Sequence, residues 1–229
     1  MADTCCWYET RIPENLFKNL LSDLENIDEN SFVKSEIHLD EPSIDNNIRK
    51  SQHCWIPSTH WTGRLIWKYI MSANNENFLY DISHIEDETI QYTKYNKGNY
   101  YNWHTDSDIR DVFKPDEIVR KLSFTLQLSY DDEYEGGNLE FADYDDSTYR
   151  FTAPKSRGTV IVFDSRIPHR VTPVKSGIRK SLVGWVVGKR WREGVSINLT
   201  ALIRAITRNS KAFKDISLTF VPHPVTRDL

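Results

Sequence analysis

Residues 158–188 read GTVIVFDSRIPHRVTPVKSGIRKSLVGWVVG, and their reading decides the fold. Three short β-prone runs, GTVIVF, HRVTPV and SLVGWVVG, are punctuated by Asp164, Ser165 and Pro168 and then by Gly177. Short runs of branched and aromatic residues bounded by Gly, Pro, Asp and Ser read as strands, because the pleated surface suits those side chains and the bounding residues suit turns. Upstream, TIQYTKY (89–95), LSFTLQLSY (122–130), GNLEFA (137–142) and TYRFTAP (148–154) repeat the pattern, with Gly136-Gly137 and Gly158 between them. This spacing of strands and turns predicts an antiparallel sandwich or barrel, with a jelly roll as the first choice.

The flanks have a different rhythm. Residues 14–27 carry Phe17, Leu20, Leu21 and Leu24 at spacings of three and four, which predicts an amphipathic helix after Pro13. Residues 28–58 are polar, with Pro42, Asn46 and Asn47, and read as a long, partly irregular connection. A second helix is expected over 63–72, with Leu65, Ile66, Tyr69 and Ile70 on one face. A third, covering helix is expected from Leu199, Leu202, Ile203 and Ile206. No internal repeat or Gly/Ser linker divides the chain. The expected organisation is one mainly β domain with flanking helices: a helical support region over 1–88, a jelly-roll core over 89–188 and a helical extension over 189–229.

The formal charge of −4 lacks the basic excess of a nucleic-acid-binding domain and argues against duplex DNA as a partner. Three cysteines, Cys5, Cys6 and Cys54, make an odd count and argue against a disulfide framework. The N-terminus lacks a hydrophobic signal core, and no stretch approaches the roughly 18 apolar residues of a membrane span. A soluble, intracellular protein is expected.

In YYNWHTDSD (100–108), His104 and Asp106 are two residues apart, so in an extended segment both side chains project to one face and can share a metal. His169, which follows an apolar run and a short turn, is the third candidate. Two histidines and one carboxylate form a facial triad for non-haem iron, and three open positions then admit a bidentate 2-oxoacid and dioxygen. The alternative is that both histidines are partly buried polar groups satisfied by backbone or water. Ten residues past His169 stands Arg179, with Ser181 two further on. A hairpin through PVKSG is expected to return the chain antiparallel to the His169 strand, with Arg179, Ser181, Val183 and Trp185 on one face. A guanidinium offers a planar fork to the distal carboxylate of a dicarboxylate co-substrate, and a neighbouring hydroxyl adds a donor. Taken without the triad, Arg179 reads first as an exposed edge-strand charge, and its register with His169 reverses that order.

With these residues assembled, the chain resembles the prolyl 4-hydroxylase-like, PKHD-type branch of the 2-oxoglutarate/Fe(II) dioxygenases across roughly residues 89–188. QYTKYNKGNYYNWHTD (91–106), LSFTLQLSYDDEYEGGNLEF (122–141) and PKSRGTVIVFDSRIPHRVTPVKSGIRKSLVGWV (154–186) carry the resemblance in order. It implies a double-stranded β-helix, Fe(II) on His104, Asp106 and His169, and 2-oxoglutarate on Arg179, with dioxygen as the second co-substrate. Tyr95 matches a tyrosine that lines the co-substrate pocket. Gln127 stands where some relatives place tyrosine, and Ser181 can supply the missing hydroxyl.

Tyr100, Tyr101, Trp103 and Arg166 flank the ligands and are expected at the substrate entrance, although aromatics make up 12% of this chain and many serve packing. The polar segment 107–117 is a candidate closing loop. The implied reaction hydroxylates a substrate C–H, a prolyl residue in a protein or peptide first and a free amino acid or other small molecule second, and releases succinate and CO2. The competing classes are a non-catalytic jelly-roll binding module and a cupin-like enzyme, which would need a third histidine beside His104. His38, His53, His60, His84 and His223 receive no catalytic role.

Overall fold

The computed structural model describes residues 7–35, 37–38, 42–43, 48–107, 118–142 and 150–190. The expected helix around 199–206, nearly all of the candidate closing loop, Cys5, Cys6 and His223 lie outside these residues.

β1 (Trp7–Arg11) leads into α1 (Glu14–Glu25). The short strands β2 (Val33–Lys34), β3 (Ile37–His38), β4 (Pro42–Ser43) and β5 (Arg49–Lys50) precede β6 (Gln52–Pro57) and α2 (Trp61–Ala73). Then come β7 (His84–Ile85), β8 (Thr89–Tyr95), β9 (Tyr100–His104), β10 (Ile118–Gln127), β11 (Tyr134–Gly136) and β12 (Leu139–Ala142). The remainder are β13 (Arg150–Thr152), β14 (Thr159–Asp164), β15 (His169–Val171), β16 (Val174–Gly177) and β17 (Arg179–Lys189).

An eight-stranded sheet runs β1-β14-β10-β17-β8-β6-β2, with β7 paired to β17, and a five-stranded sheet runs β13-β12-β15-β9-β5. All pairings in both sheets are antiparallel. This is the expected jelly roll.

Alternation along the strands of the large sheet divides its two faces. Leu122, Phe124 and Leu126 of β10, Val160 and Val162 of β14, Leu182 and Val186 of β17, and Ile90 and Tyr92 of β8 share one cluster. Phe17, Leu20 and Leu24 of α1 and Ile66, Ile70 and Ala73 of α2 join that cluster, so both helices back this sheet. Each large apolar side chain buried there contributes roughly 1.5–3 kcal/mol. Residues of the opposite parity, Ile161 and Phe163, pack instead with Leu139 and Phe141 of the small sheet. Between the two sheets lies the space the site uses.

Three local expectations are revised. The segment read as a partly irregular connection supplies β5 to the small sheet and β6 to the large one. The second helix starts earlier than expected, at Trp61, where His60 caps Thr62 N. The run HRVTPV does not form a hairpin with the Arg179 strand. β15 pairs with β12 and β9, whereas β17 pairs with β10 and β8. Pro173, which has no N–H to donate, ends β15, and β16 diverts to pair with β11. Gly177, at φ +72°, then turns the chain into the large sheet. No helix among the described residues is long and apolar enough to cross a membrane.

A candidate metal and co-substrate site

His104 ends β9 and His169 begins β15, and the two are cross-strand partners. Asp106 lies just beyond the end of β9. The candidate ligand atoms of all three lie within 4.8 Å of one another. His169 Nε2 is 3.4 Å from Asp106 Oδ2, and His104 Nε2 is 3.7 Å from Asp106 Oδ1.

Each imidazole is oriented by its other nitrogen. His104 Nδ1 meets the Asn102 carbonyl at 2.7 Å and His169 Nδ1 meets the Ile167 carbonyl at 2.8 Å. A carbonyl only accepts, so Nδ1 carries the proton and the Nε2 lone pair faces the centre, as a metal ligand requires.

The carboxylate is held as firmly. Ser123 Oγ donates to Asp106 Oδ2 at 2.7 Å and is itself 2.9 Å from Ser165 Oγ. The Asp106 and Ser107 amides both donate to the Ser165 carbonyl, at 2.9 and 3.0 Å. This double tie joins the end of β9 to the turn before His169.

Burial, reinforced by His169, pushes the His104 imidazole down to about 3, so it is a neutral donor near neutral pH. Burial alone would raise the Asp106 carboxyl. His169, His104 and Arg120 outweigh it and hold the group well below the usual carboxylate range.

Arg179 sits across from Tyr95 on the neighbouring β8 and is 2% exposed. Its Nη1 donates to Ser181 Oγ at 3.0 Å and its Nη2 to Gln127 Oε1 at 3.2 Å, both neutral acceptors. Gly137, at φ +57°, lets the chain pass close to the Arg179 stem. A pocket connects this guanidinium with the triad, lined also by Tyr95, Tyr101, Leu139, Phe163 and Val171. Thr125 and Trp185 line it too, and Thr125 Oγ1 and Trp185 Nε1 are buried without a hydrogen-bond partner among the described residues.

The other sequence candidates divide. Tyr95 and Tyr101 face the cavity. Gln127 and Ser181 stand behind Arg179 and act on its guanidinium rather than lining the cavity. Trp103 does not reach the entrance: it lies between Arg150 and Arg170, with ring distances of 5.1 and 4.8 Å. Arg166 pairs with Asp164, which also accepts from Tyr80, and so braces the turn before His169.

Tyr101 and Trp103 separate because of a bulge. Residues 101–104 of β9 oppose 169–171 of β15, and the extra residue returns Tyr101 to the His104 face, stacked at 3.5 Å between centroids. Missed in the sequence were Arg49, Gln91, Ser123 and Thr125. Of these, Ser123 had a readable signal, since it precedes Phe124 on the polar parity of β10.

Residues 90–187 match the 2OG-Fe(II) oxygenase superfamily. A PKHD-type hydroxylase of Synechococcus sp. (strain CC9605) is 39% identical over 89 residues, 39% of this chain and 37% of that protein. One from Shewanella baltica (strain OS185) is 32% identical over 142 residues, 59% of this chain and 61% of that protein. The chain thus spans about a third to three fifths of the length of these curated relatives.

Among solved structures, a Pseudomonas putida prolyl-4-hydroxylase superposes with a TM-score of 0.61 at 22% identity, covering 82% of this chain and 94% of that one. A Trichoplax adhaerens prolyl hydroxylase, solved with a hypoxia inducible factor peptide fragment, gives 0.61 at 19% identity over 81% and 85% of the two chains. At these identities the superpositions speak for the fold.

Proposed function

We propose that this chain, whose residues 90–187 match the 2OG-Fe(II) oxygenase superfamily, is an Fe(II)- and 2-oxoglutarate-dependent hydroxylase acting on a prolyl residue of a protein or peptide. The observation that carries the reading is the convergence of His104, Asp106 and His169 in one cavity with Arg179, a buried guanidinium that has no acidic partner among the described residues.

The donor set fits the metal: two imidazoles and one carboxylate, each fixed by a hydrogen bond of its own, suit a six-coordinate ferrous ion with positions to spare. The cavity fits the co-substrate as well. Arg179 can fork onto a distal carboxylate, while Thr125 and Trp185 offer two unsatisfied polar atoms along the way. When bound, iron with 2-oxoglutarate and dioxygen supplies the oxidation that releases succinate and CO2 and transfers one oxygen atom to a substrate C–H.

The residues of this chain bind, orient and exclude. His104, Asp106 and His169 hold the ion. Arg179, braced by Ser181 and Gln127, sets which end of the dicarboxylate faces away from it. Leu139, Phe163 and Val171 keep water from the reacting face. Asp106 in the ligand set disfavours a three-histidine cupin enzyme, and the intact set together with Arg179 disfavours a non-catalytic binding module. The order of the motifs over residues 89–188, which resembles the prolyl 4-hydroxylase-like branch, puts a prolyl target ahead of a free amino acid or other small molecule.

The test is succinate formation from anaerobically prepared protein given Fe(II), 2-oxoglutarate and then oxygen, beside Asp106→Ala, with and without proline-rich peptides. Succinate from the wild type alone, with a peptide gaining one oxygen atom, is the expected result. Failure of the wild type to bind either iron or 2-oxoglutarate would sink the reading.

A further inference from the structure

Arg49 lies outside the segment matched to the family, yet it lines the same cavity as the triad and Arg179. It opens β5, opposite Tyr101 of β9, and is 7% exposed. Its Nε donates to Ser51 Oγ at 3.0 Å and its Nη2 to Gln91 Oε1 at 2.6 Å. The guanidinium also lies 4.8 Å from the Tyr101 ring centroid, and that ring is stacked on His104.

Every one of these partners is neutral. Among the described residues Arg49 has no carboxylate partner, and two of the five N–H donors of a guanidinium are used, leaving Nη1 free. This is the same signature as Arg179: a buried cation held by two neutral oxygens on a cavity wall. A buried charge without a counter-ion is unfavourable, so a fold that keeps two of them on one cavity is prepared for anions.

Charge decides how many anions the cavity takes. Two guanidiniums and a divalent ion facing one carboxylate leave three positive charges, and a dicarboxylate co-substrate removes two. A co-substrate whose distal carboxylate takes Arg179 and whose oxoacid end takes the metal leaves Arg49, tied to Gln91 Oε1, without an anion of its own.

We propose, on the basis of the hydroxylase reading above, that Arg49 seats a carboxylate of the substrate that is hydroxylated, so that the enzyme selects an acidic group close to the reacting carbon. That carboxylate belongs either to the target residue itself, as in a free or chain-terminal residue, or to an acidic side chain beside it in a peptide. Guanidinium recognition of a carboxylate is the shared chemistry.

The test reads binding without turnover, by calorimetry on anaerobic protein loaded with Ni(II) and 2-oxoglutarate. Two pairs of probes separate the sources: N-acetyl-L-proline against its amide, and acetyl-Pro-Asp-amide against acetyl-Pro-Asn-amide. In the wild type the acid of at least one pair should bind tenfold or more tightly than its neutral twin, and the pair that differs names the source. In Arg49→Gln the gap should close to within twofold, and Arg49→Lys should keep part of it, with 2-oxoglutarate affinity within threefold of wild type in both.

Equal affinity for acid and neutral probes in the wild type, absent binding included, overturns the proposal without needing any variant. Tenfold loss of 2-oxoglutarate affinity in Arg49→Gln also overturns it, by assigning Arg49 to the co-substrate. Succinate formation is scored separately, so a failure of the hydroxylase reading is distinguishable from a failure of the Arg49 seat.

Discussion

Ser123 donates its hydroxyl to Oδ2 of Asp106 at 2.7 Å, the oxygen that also lies nearest His169 Nε2. The bond fixes the rotation of the carboxylate before any ion arrives. Groups that orient a ligand commonly change metal affinity by about 10–100-fold when removed. Ser123→Ala is expected to weaken Ni(II) or Fe(II) binding by about tenfold, and Ser123→Thr to retain most of it, as read by metal titration. Wild-type affinity in the alanine variant would show that the Ser165 ties suffice.

Removing Arg179 should separate the two halves of the site. A hydrogen bond to a charged group contributes about 1.5–3 kcal/mol, and the guanidinium can make two. Arg179→Ala is therefore expected to weaken 2-oxoglutarate binding by about 100-fold or more while leaving metal affinity near wild type, with Arg179→Lys intermediate. Titration of the metal-loaded protein checks this, and an equal loss of metal affinity would contradict the division of labour.

The stability of the metal-free protein should fall in mild acid. His104 is pushed down to about 3 by burial and by His169, from an ordinary 6.5. Between those values the unfolded chain binds a proton that the folded chain refuses, so the stability is complete above about 6.5 and is lost as pH falls toward 3. Asp106, held below its usual range, adds loss below about 4. Melting temperatures of wild type and His104→Gln between pH 7 and 4 test this: the variant should show the shallower decline, and parallel curves would remove His104 from the account.

Gly177 should tolerate no side chain. It combines φ +72° with a backbone so close to Glu133 and Tyr134 that a Cβ would run into the Glu133 carbonyl. Gly177→Ala is expected to lower stability by about 2 kcal/mol or more, measured by denaturant melts, whereas Gly98→Ala, with open space around it, should lose less. Equal losses would mean that φ alone governs both sites.

The triad and Arg179 were legible because each rests on local information: the two-residue period of a strand, a short turn before His169, and the parity that sets Arg179, Val183 and Trp185 on one face. Arg49 was not. Its meaning depends on pairing with Tyr101 across the small sheet, and nothing in the polar residues 28–58 announces that β5 joins it. Trp103 was misplaced because it neighbours His104 in sequence although alternation turns it to the other face, whereas the bulge that returns Tyr101 to the His104 face interrupts that alternation. Distant pairing also hid the change of sheet between β15 and β17, where Pro173 and Gly177 looked like an ordinary hairpin.

The pairing of His169 with His104 has a consequence for when iron can be acquired. During synthesis His104 and Asp106 emerge long before residue 169, and an isolated His-x-Asp pair offers an ion only part of its coordination shell. The complete set exists only once β15 has docked between β12 and β9, a closure between distant parts of the chain that belongs to the slow end of folding. Metal loading therefore reports that β15 has docked. An ion that binds only this closed arrangement shifts the folding equilibrium toward it, so metal loading would also stabilise the fold.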